Sequence, residues 1–165
     1  MEKLHLKKIE LPMDEKPFYY FIMNNTDYFT DYIEHTPTVK EVREEFLLDV
    51  PPNIELDNKE VYGIYVKNAL VGFLDLLFYY PDKDICMIGY LVIDQEYRKQ
   101  GIGQQIYDKA ISYIHQRGIS KVRLGVIKEN IPAVRMWEKQ GFKTIIEQKT
   151  CYGEQLTMEC EIDNN

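Results

Sequence analysis

The stretch Ile85, Cys86, Met87, Ile88, Gly89, Tyr90, Leu91, Val92 and Ile93 is an almost unbroken apolar run. A run of this kind suits a central β-strand covered on both faces, since an edge or half-exposed strand would alternate with polar residues. After a short acidic and aromatic turn (Asp94, Gln95, Glu96, Tyr97) and the segment Arg98–Gly103, the strongest helical pattern in the chain begins. Ile102, Ile106, Ala110, Tyr113 and Ile114 share one face at 3.6-residue spacing over residues 102–117. Gly118 is placed to stop that helix. Residues 121–127 then alternate as a strand. Strand, helix, strand is a βαβ unit, which demands a parallel strand pair.

The flanking segments surround that unit with strands and helices. Residues 3–10 read as a strand. Residues 17–24 and 26–34, both rich in aromatics, read as helices, with Pro17 suited to a first turn. Residues 38–49 read as a helix capped by Thr38, with Glu41 completing a capping box and Val39, Val42, Phe46 and Leu47 on one face. Pro51 and Pro52 end it. Strands follow at 60–67 and at about 70–79, joined by a turn at Asn68. Beyond residue 127, Asn130 is a good N-cap with Pro132 early in the first turn. Gly141 closes that helix, and strands at about 142–149 and 154–162 complete the chain. The order predicts a single α/β domain over residues 1–165, with a mixed sheet, antiparallel meanders and one strong βαβ unit.

The chain has 165 residues, 45% hydrophobic and 28% charged, in keeping with one soluble globular domain able to bury a core. A net charge of -7 argues against nucleic acid as a partner, because phosphate backbones select basic faces. It also favours a cationic small molecule, or serves solubility alone. Three cysteines without CxxC spacing and three scattered histidines suggest neither a disulfide framework nor a metal site. Cys86, inside the apolar run, reads as a buried small hydrophobe. With no apolar signal core and no stretch long enough to span a bilayer, the expected location is the cytoplasm, away from membranes.

The chemistry is concentrated where the apolar strand meets its helix. Gly101 and Gly103 remove Cβ atoms where a ligand could approach the backbone. The helix start presents unpaired N–H groups and the positive end of its dipole. Arg98 and Lys99 add positive charge. This composition fits a phosphate or pyrophosphate, although a tight strand-to-helix turn would have the same pattern. The spacing is neither that of a Walker loop nor that of a dinucleotide fingerprint.

A second segment narrows the reading. Arg98, Gly101 and Gly103 match the [Q/R]-x-x-G-x-[G/A] pyrophosphate loop of the GNAT superfamily of N-acetyltransferases. Asn130, Ala133, Trp137, Gly141 and Phe142 match in order and spacing the helix that follows in that family. The chain therefore resembles a GNAT acetyltransferase. The resemblance implies a mostly antiparallel central sheet in which parallel strands 85–93 and 121–127 splay in the middle. It implies acetyl-CoA as cosubstrate and a small-molecule or protein amine as acceptor. Backbone groups of Leu91, Val92 and Ile93 would pair with the pantetheine arm. The segment Lys99, Gln100, Gly101, Ile102, Gly103 and Gln104 would hold the pyrophosphate, beside Arg98. Asn130 would bond the arm as well as cap its helix, Ala133 would fall within the same motif, and Trp137 would either flank the thioester or pack in the core.

The resemblance also implies direct attack of a neutral amine on the thioester, with the Ile93 N–H stabilising the developing oxyanion. Many family members carry a tyrosine proton donor at the position of Trp137, whose indole can donate a hydrogen bond but is no phenolic acid. Tyr90 and Tyr107 are candidates to replace it. For the base, Asp75 and Glu60 lie on neighbouring strands. Asp75 is either a carboxylate among apolar residues with a raised pKa or, as strand alternation favours, a solvent-facing side chain. Tyr19, Tyr20, Tyr28, Phe29 and Tyr32 either line an acceptor pocket or pack their helices. The loss of the family's tyrosine keeps open a non-catalytic acyl-CoA-binding or sensing module, and the two C-terminal strands offer a homodimer surface.

Overall fold

The computed structural model describes residues 3–162. In chain order the elements are β1 (Leu4–Lys8), α1 (Glu15–Met23), α2 (Val39–Val42), β2 (Lys59–Val66), β3 (Ala69–Phe78), β4 (Ile85–Ile93), α3 (Ile102–Gln116), β5 (Lys121–Ile127), α4 (Ile131–Lys139), β6 (Lys143–Thr150) and β7 (Gly153–Glu161). The strands form a seven-stranded sheet in the order β1-β2-β3-β4-β5-β7-β6. β1 and β2 pair antiparallel, as do β5 with β7 and β6 with β7. β4 and β5 are the parallel pair that the βαβ pattern requires, so the mixed, mostly antiparallel GNAT-like sheet is confirmed. The ladder between them matches Ile85–Ile88 to Lys121–Leu124, while β4 continues to Ile93 and β5 to Ile127.

The chain forms two compact units, one from the chain up to Asp75 with Tyr90–Ile106, the other from Leu76–Gly89 with the chain from Tyr107 on. In the first, the apolar positions of α1 bring Phe18, Phe21 and Ile22 into a cluster with Phe29, Val42, Phe46, Val61, Phe73 and Val92. The rings meet mostly edge to face, Phe18 against Phe73 at 5.0 Å and Phe29 against Phe46 at 5.2 Å. Such pairs add about 0.5–1.5 kcal/mol each beyond the area they bury.

Two helices expected in this region form differently. Residues 26–34 yield only a single 3-10 turn at Thr30–Tyr32. Phe29 is buried and Tyr32 packs half-buried against the core, but Tyr28 and Ile33 stay exposed, so the segment lacks the continuous apolar face that would hold a longer helix. The helix at 38–49 starts as read, with Thr38 Oγ1 accepting from the Glu41 N–H at 3.1 Å. After one turn it widens into a π-helical run at Arg43–Leu48, which carries Phe46 and Leu47 into the core.

The second unit contains most of α3, with β5, α4 and the β6–β7 hairpin. Gly118 ends α3 at φ +81° and Gly141 follows α4 at φ +99°, as their positions in sequence suggest. Cys86 is buried, Cys151 exposed and Cys160 half-buried, all as free thiols. Among the described residues, no helix is long and apolar enough to cross a membrane.

Candidate active site

The end of β4 sets the geometry. The Asp94 N–H donates to the Val71 carbonyl of β3 at 2.8 Å, and the Val92 carbonyl lies against Gly72 of the same strand. Successive residues of a strand direct their polar groups to opposite edges. Val92 therefore pairs toward β3, and the backbone groups of Leu91 and Ile93 point away from it. Of the three residues singled out in sequence, Leu91 and Ile93 present the edge that an added strand-like ligand would use.

The loop after β4 is held open. Lys99 and Gly101 both adopt left-handed backbone, at φ +62° and +81°. The chain then enters α3 at Ile102, and Gln105 makes an early helical bond, its N–H donating to the Gly101 carbonyl at 3.1 Å. A Cβ added at Gly101 or Gly103 would meet no heavy atom within 4 Å beyond the neighbouring backbone. The space over the helix start is thus clear of side chains, as a polyanion seated on the N–H groups of the first turn would need.

Arg98, expected beside the pyrophosphate, makes two contacts within the protein. Its Nε donates to the Ile93 carbonyl at 2.8 Å and its guanidinium pairs with Asp27 at 2.9 Å. It braces strand end to loop, with its charge matched by Asp27. Lys99, fully on the surface, is the loop's outward cation, and Gln100 reaches back to the Glu96 carbonyl at 3.1 Å.

On α4, the Asn130 side chain accepts from the Ala133 N–H at 3.4 Å and caps the helix. Trp137 is buried at 8% exposure, with Tyr107 at 5.6 Å and Phe142 at 5.3 Å between ring centroids. The core-packing role weighed for Trp137 is therefore real. Burial, then the nearby Cys160 and Asp108, push the Tyr107 phenol well above its ordinary pKa, so it keeps its proton through neutral pH. Trp137→Ala would empty this three-ring cluster and should lower stability by about 3–5 kcal/mol, measured by urea unfolding.

The acid-base candidates have partners. Asp75 is buried at 5% exposure, not solvent-facing as the alternation favoured, because the middle of β3 is covered on both faces. Lys59 Nζ lies 3.0 and 2.9 Å from its two carboxylate oxygens. Glu60, also buried, accepts from the Tyr62 hydroxyl at 2.5 Å. Tyr90 packs with Phe46 at 5.3 Å and Phe73 at 5.6 Å, in the aromatic core of the first unit. Of the five aromatics considered for an acceptor pocket, Phe29 is core, Tyr19 and Tyr32 are half-buried, and Tyr20 and Tyr28 are exposed.

Two contributors were invisible in the sequence. Asn25 is fully buried, and its carboxamide donates to the Phe21 carbonyl at 2.9 Å and to Asp94 Oδ2 at 3.0 Å, while accepting from the Gln95 N–H at 3.3 Å. Asp27 holds Arg98. An asparagine after an aromatic helix reads as a helix stop, and nothing local identifies a partner 69 residues away.

A glycine-lined helix start behind a central strand, in a mixed sheet with one parallel pair, is the arrangement of an acyltransferase fold. The model of the acetyltransferase (GNAT) family matches residues 20–142, and the chain belongs to that family. Streptothricin acetyltransferase of Escherichia coli is 23% identical over 107 residues, 65% of this chain and 59% of that protein. The chain spans less than two thirds of the length of the curated relatives it matches. An acetyltransferase of Thermus thermophilus shares the fold at TM-score 0.76 and 20% identity, over 98% of this chain and 99% of that one. Spermidine N-acetyltransferase of Vibrio cholerae, solved with CoA and spermine, does so at TM-score 0.74 and 18% identity, over 96% and 95%. At these identities the structures bear on the fold alone.

Proposed function

We propose that this GNAT acetyltransferase moves an acetyl group from acetyl-CoA to a primary amine. The observation that carries the reading is the clear space over Gly101 and Gly103 at the start of α3, beside left-handed Lys99. In this reading the amides from Lys99 to Gln104 hold the pyrophosphate, with Lys99 adding charge. The outward edge of β4 at Leu91 and Ile93 bonds the pantetheine arm. When bound, acetyl-CoA supplies an activated acyl carbon. The neutral amine nitrogen attacks that carbon, the C–N bond forms and the C–S bond breaks. The amine gives up one proton to a carboxylate or water, and the sulfur leaves to end as free thiol. The Ile93 N–H is assigned to the carbonyl oxygen, where charge develops.

The acceptor is proposed to be cationic. The Glu45 carboxyl is pushed above its usual range by burial and then by the negative charges of Asp31 and Asp49. Such crowding of acids, in a chain of net charge -7, favours a polyamine or a protein amine over a neutral one. The assay is release of CoA thiol from acetyl-CoA with a panel of polyamines, aminoglycosides and peptide amines, alongside calorimetric binding of CoA. Turnover with cationic acceptors is the expected result, and failure to bind CoA would sink the proposal. The buried indole at Trp137, where many relatives have a phenol, supports a second reading: a module that binds acyl-CoA without transfer. CoA binding with no thiol release across the panel would select it.

A further inference from the structure

We propose that Asn25 is a positioning residue for the cofactor loop. The inference rests on the proposed binding of CoA and concerns how the loop is aimed. The carboxamide of Asn25 is fully buried and makes its bonds to three elements: the last turn of α1 through Phe21, the Asp94 side chain, and the Gln95 backbone. Asp94 in turn receives the Glu96 N–H on its other oxygen at 3.0 Å, and its own carbonyl accepts from Tyr97 at 2.9 Å. One side chain thereby defines the turn Asp94–Tyr97 through which β4 delivers the loop Arg98–Gly103. Two residues further on, Asp27 grips Arg98, whose Nε returns to the Ile93 carbonyl. The segment from Asn25 to Asp27 thus fastens the loop at both its entry and its first residue.

The chemistry of the contact is specific. Asn25 acts as donor toward a carboxylate and as acceptor toward an amide, which an aspartate cannot do, because its acceptor oxygens would oppose those of Asp94. None of these groups reaches a ligand directly in this scheme; each acts through the backbone of the loop. Loosening them should therefore weaken recognition of the part of the cofactor that the loop holds, the pyrophosphate, and leave the thioester end alone.

The test compares CoA with pantetheine, which lacks the pyrophosphate, in calorimetric titrations of wild type, Asn25→Ala and Asp94→Asn. The second variant leaves one acceptor oxygen for the two donors that Asp94 serves, Asn25 Nδ2 and the Glu96 N–H, and does so from a half-buried side chain, so it remains informative if Asn25→Ala fails to fold. The expected result is a roughly tenfold loss of affinity for CoA in each variant, with pantetheine binding unchanged. Parallel losses for both ligands, or wild-type affinity for CoA in Asp94→Asn, would overturn the positioning role. A wild-type protein that binds no CoA would overturn the proposed function and this inference together, whereas normal wild-type binding with unaffected variants would overturn this inference alone.

Discussion

Gly103→Val is expected to weaken CoA binding by at least about 100-fold while the protein unfolds at close to the wild-type temperature. The expectation comes from two properties of the same position. In the free protein, a Cβ at Gly103 finds no heavy atom within 4 Å beyond its neighbouring backbone, so the added Cβ displaces nothing. Gly103 is the second residue of α3, where valine is no worse a helix former than glycine, so the helix itself does not suffer. With cofactor, the branched side chain would fill the space where the proposed pyrophosphate approaches the backbone. Gly101→Val provides the contrast. Gly101 sits at φ +81°, where an L-residue costs about 1–2 kcal/mol, so this variant should lose stability as well as binding. Titration with CoA and thermal unfolding of both variants separate the two effects. CoA binding by Gly103→Val at wild-type affinity would remove the loop from the site.

The contrast also marks how far the residues alone could be read. Signals that act over a few residues were legible. The apolar run at 85–93, the helical face from Ile102 to Ile114, the Thr38 cap and the glycines at 118 and 141 each reflect local backbone or packing rules, and each produced the expected element. The paired segments Arg98–Gly103 and Asn130–Phe142 carried the resemblance to the family, because residues at fixed spacings can be matched along one chain. Long-range partners were not. Strand alternation put Asp75 toward solvent, but the other side of β3 is also covered, and Lys59 supplies the counter-ion. Arg98 was read from its charge, and its ion-pair partner Asp27, 71 residues away, gives no local signal. Residues 26–34 carried enough aromatics for a helix, yet only Phe29 is buried, with Tyr32 half-buried against the core. In each case the deciding neighbour is far away in sequence and has no spacing rule to announce it.

Lys59→Met is expected to destabilise the protein by about 3–5 kcal/mol near pH 8, and by much less near pH 5. Lys59 and Asp75 side chains are 8% and 7% exposed, so removing the ammonium strands a carboxylate away from water. Already in the native protein, burial raises the Asp75 pKa; the Lys59 charge and hydrogen bond pull it part of the way back, and Asp49 raises it slightly again. The sign follows from that direction. A carboxyl whose folded pKa lies above its unfolded value favours the fold at low pH, and the favour is lost as pH rises through the folded pKa. Without Lys59 the folded pKa moves higher still, so the deficit of Lys59→Met should open as pH rises from the wild-type folded pKa to the variant's, stay at its full size above that, and shrink on acidification, as Asp75 takes a proton and needs no counter-ion. Adding Asp75→Leu should recover most of the loss at pH 8, because an apolar pair of similar volume can replace a buried ion pair at little cost. Urea unfolding at the two pH values measures this, and a deficit independent of pH would refute it. The double variant also separates structure from catalysis. If the ion pair serves the fold, the repaired protein turns over acetyl-CoA at the wild-type rate; if Asp75 accepts the amine proton, stability returns and turnover does not.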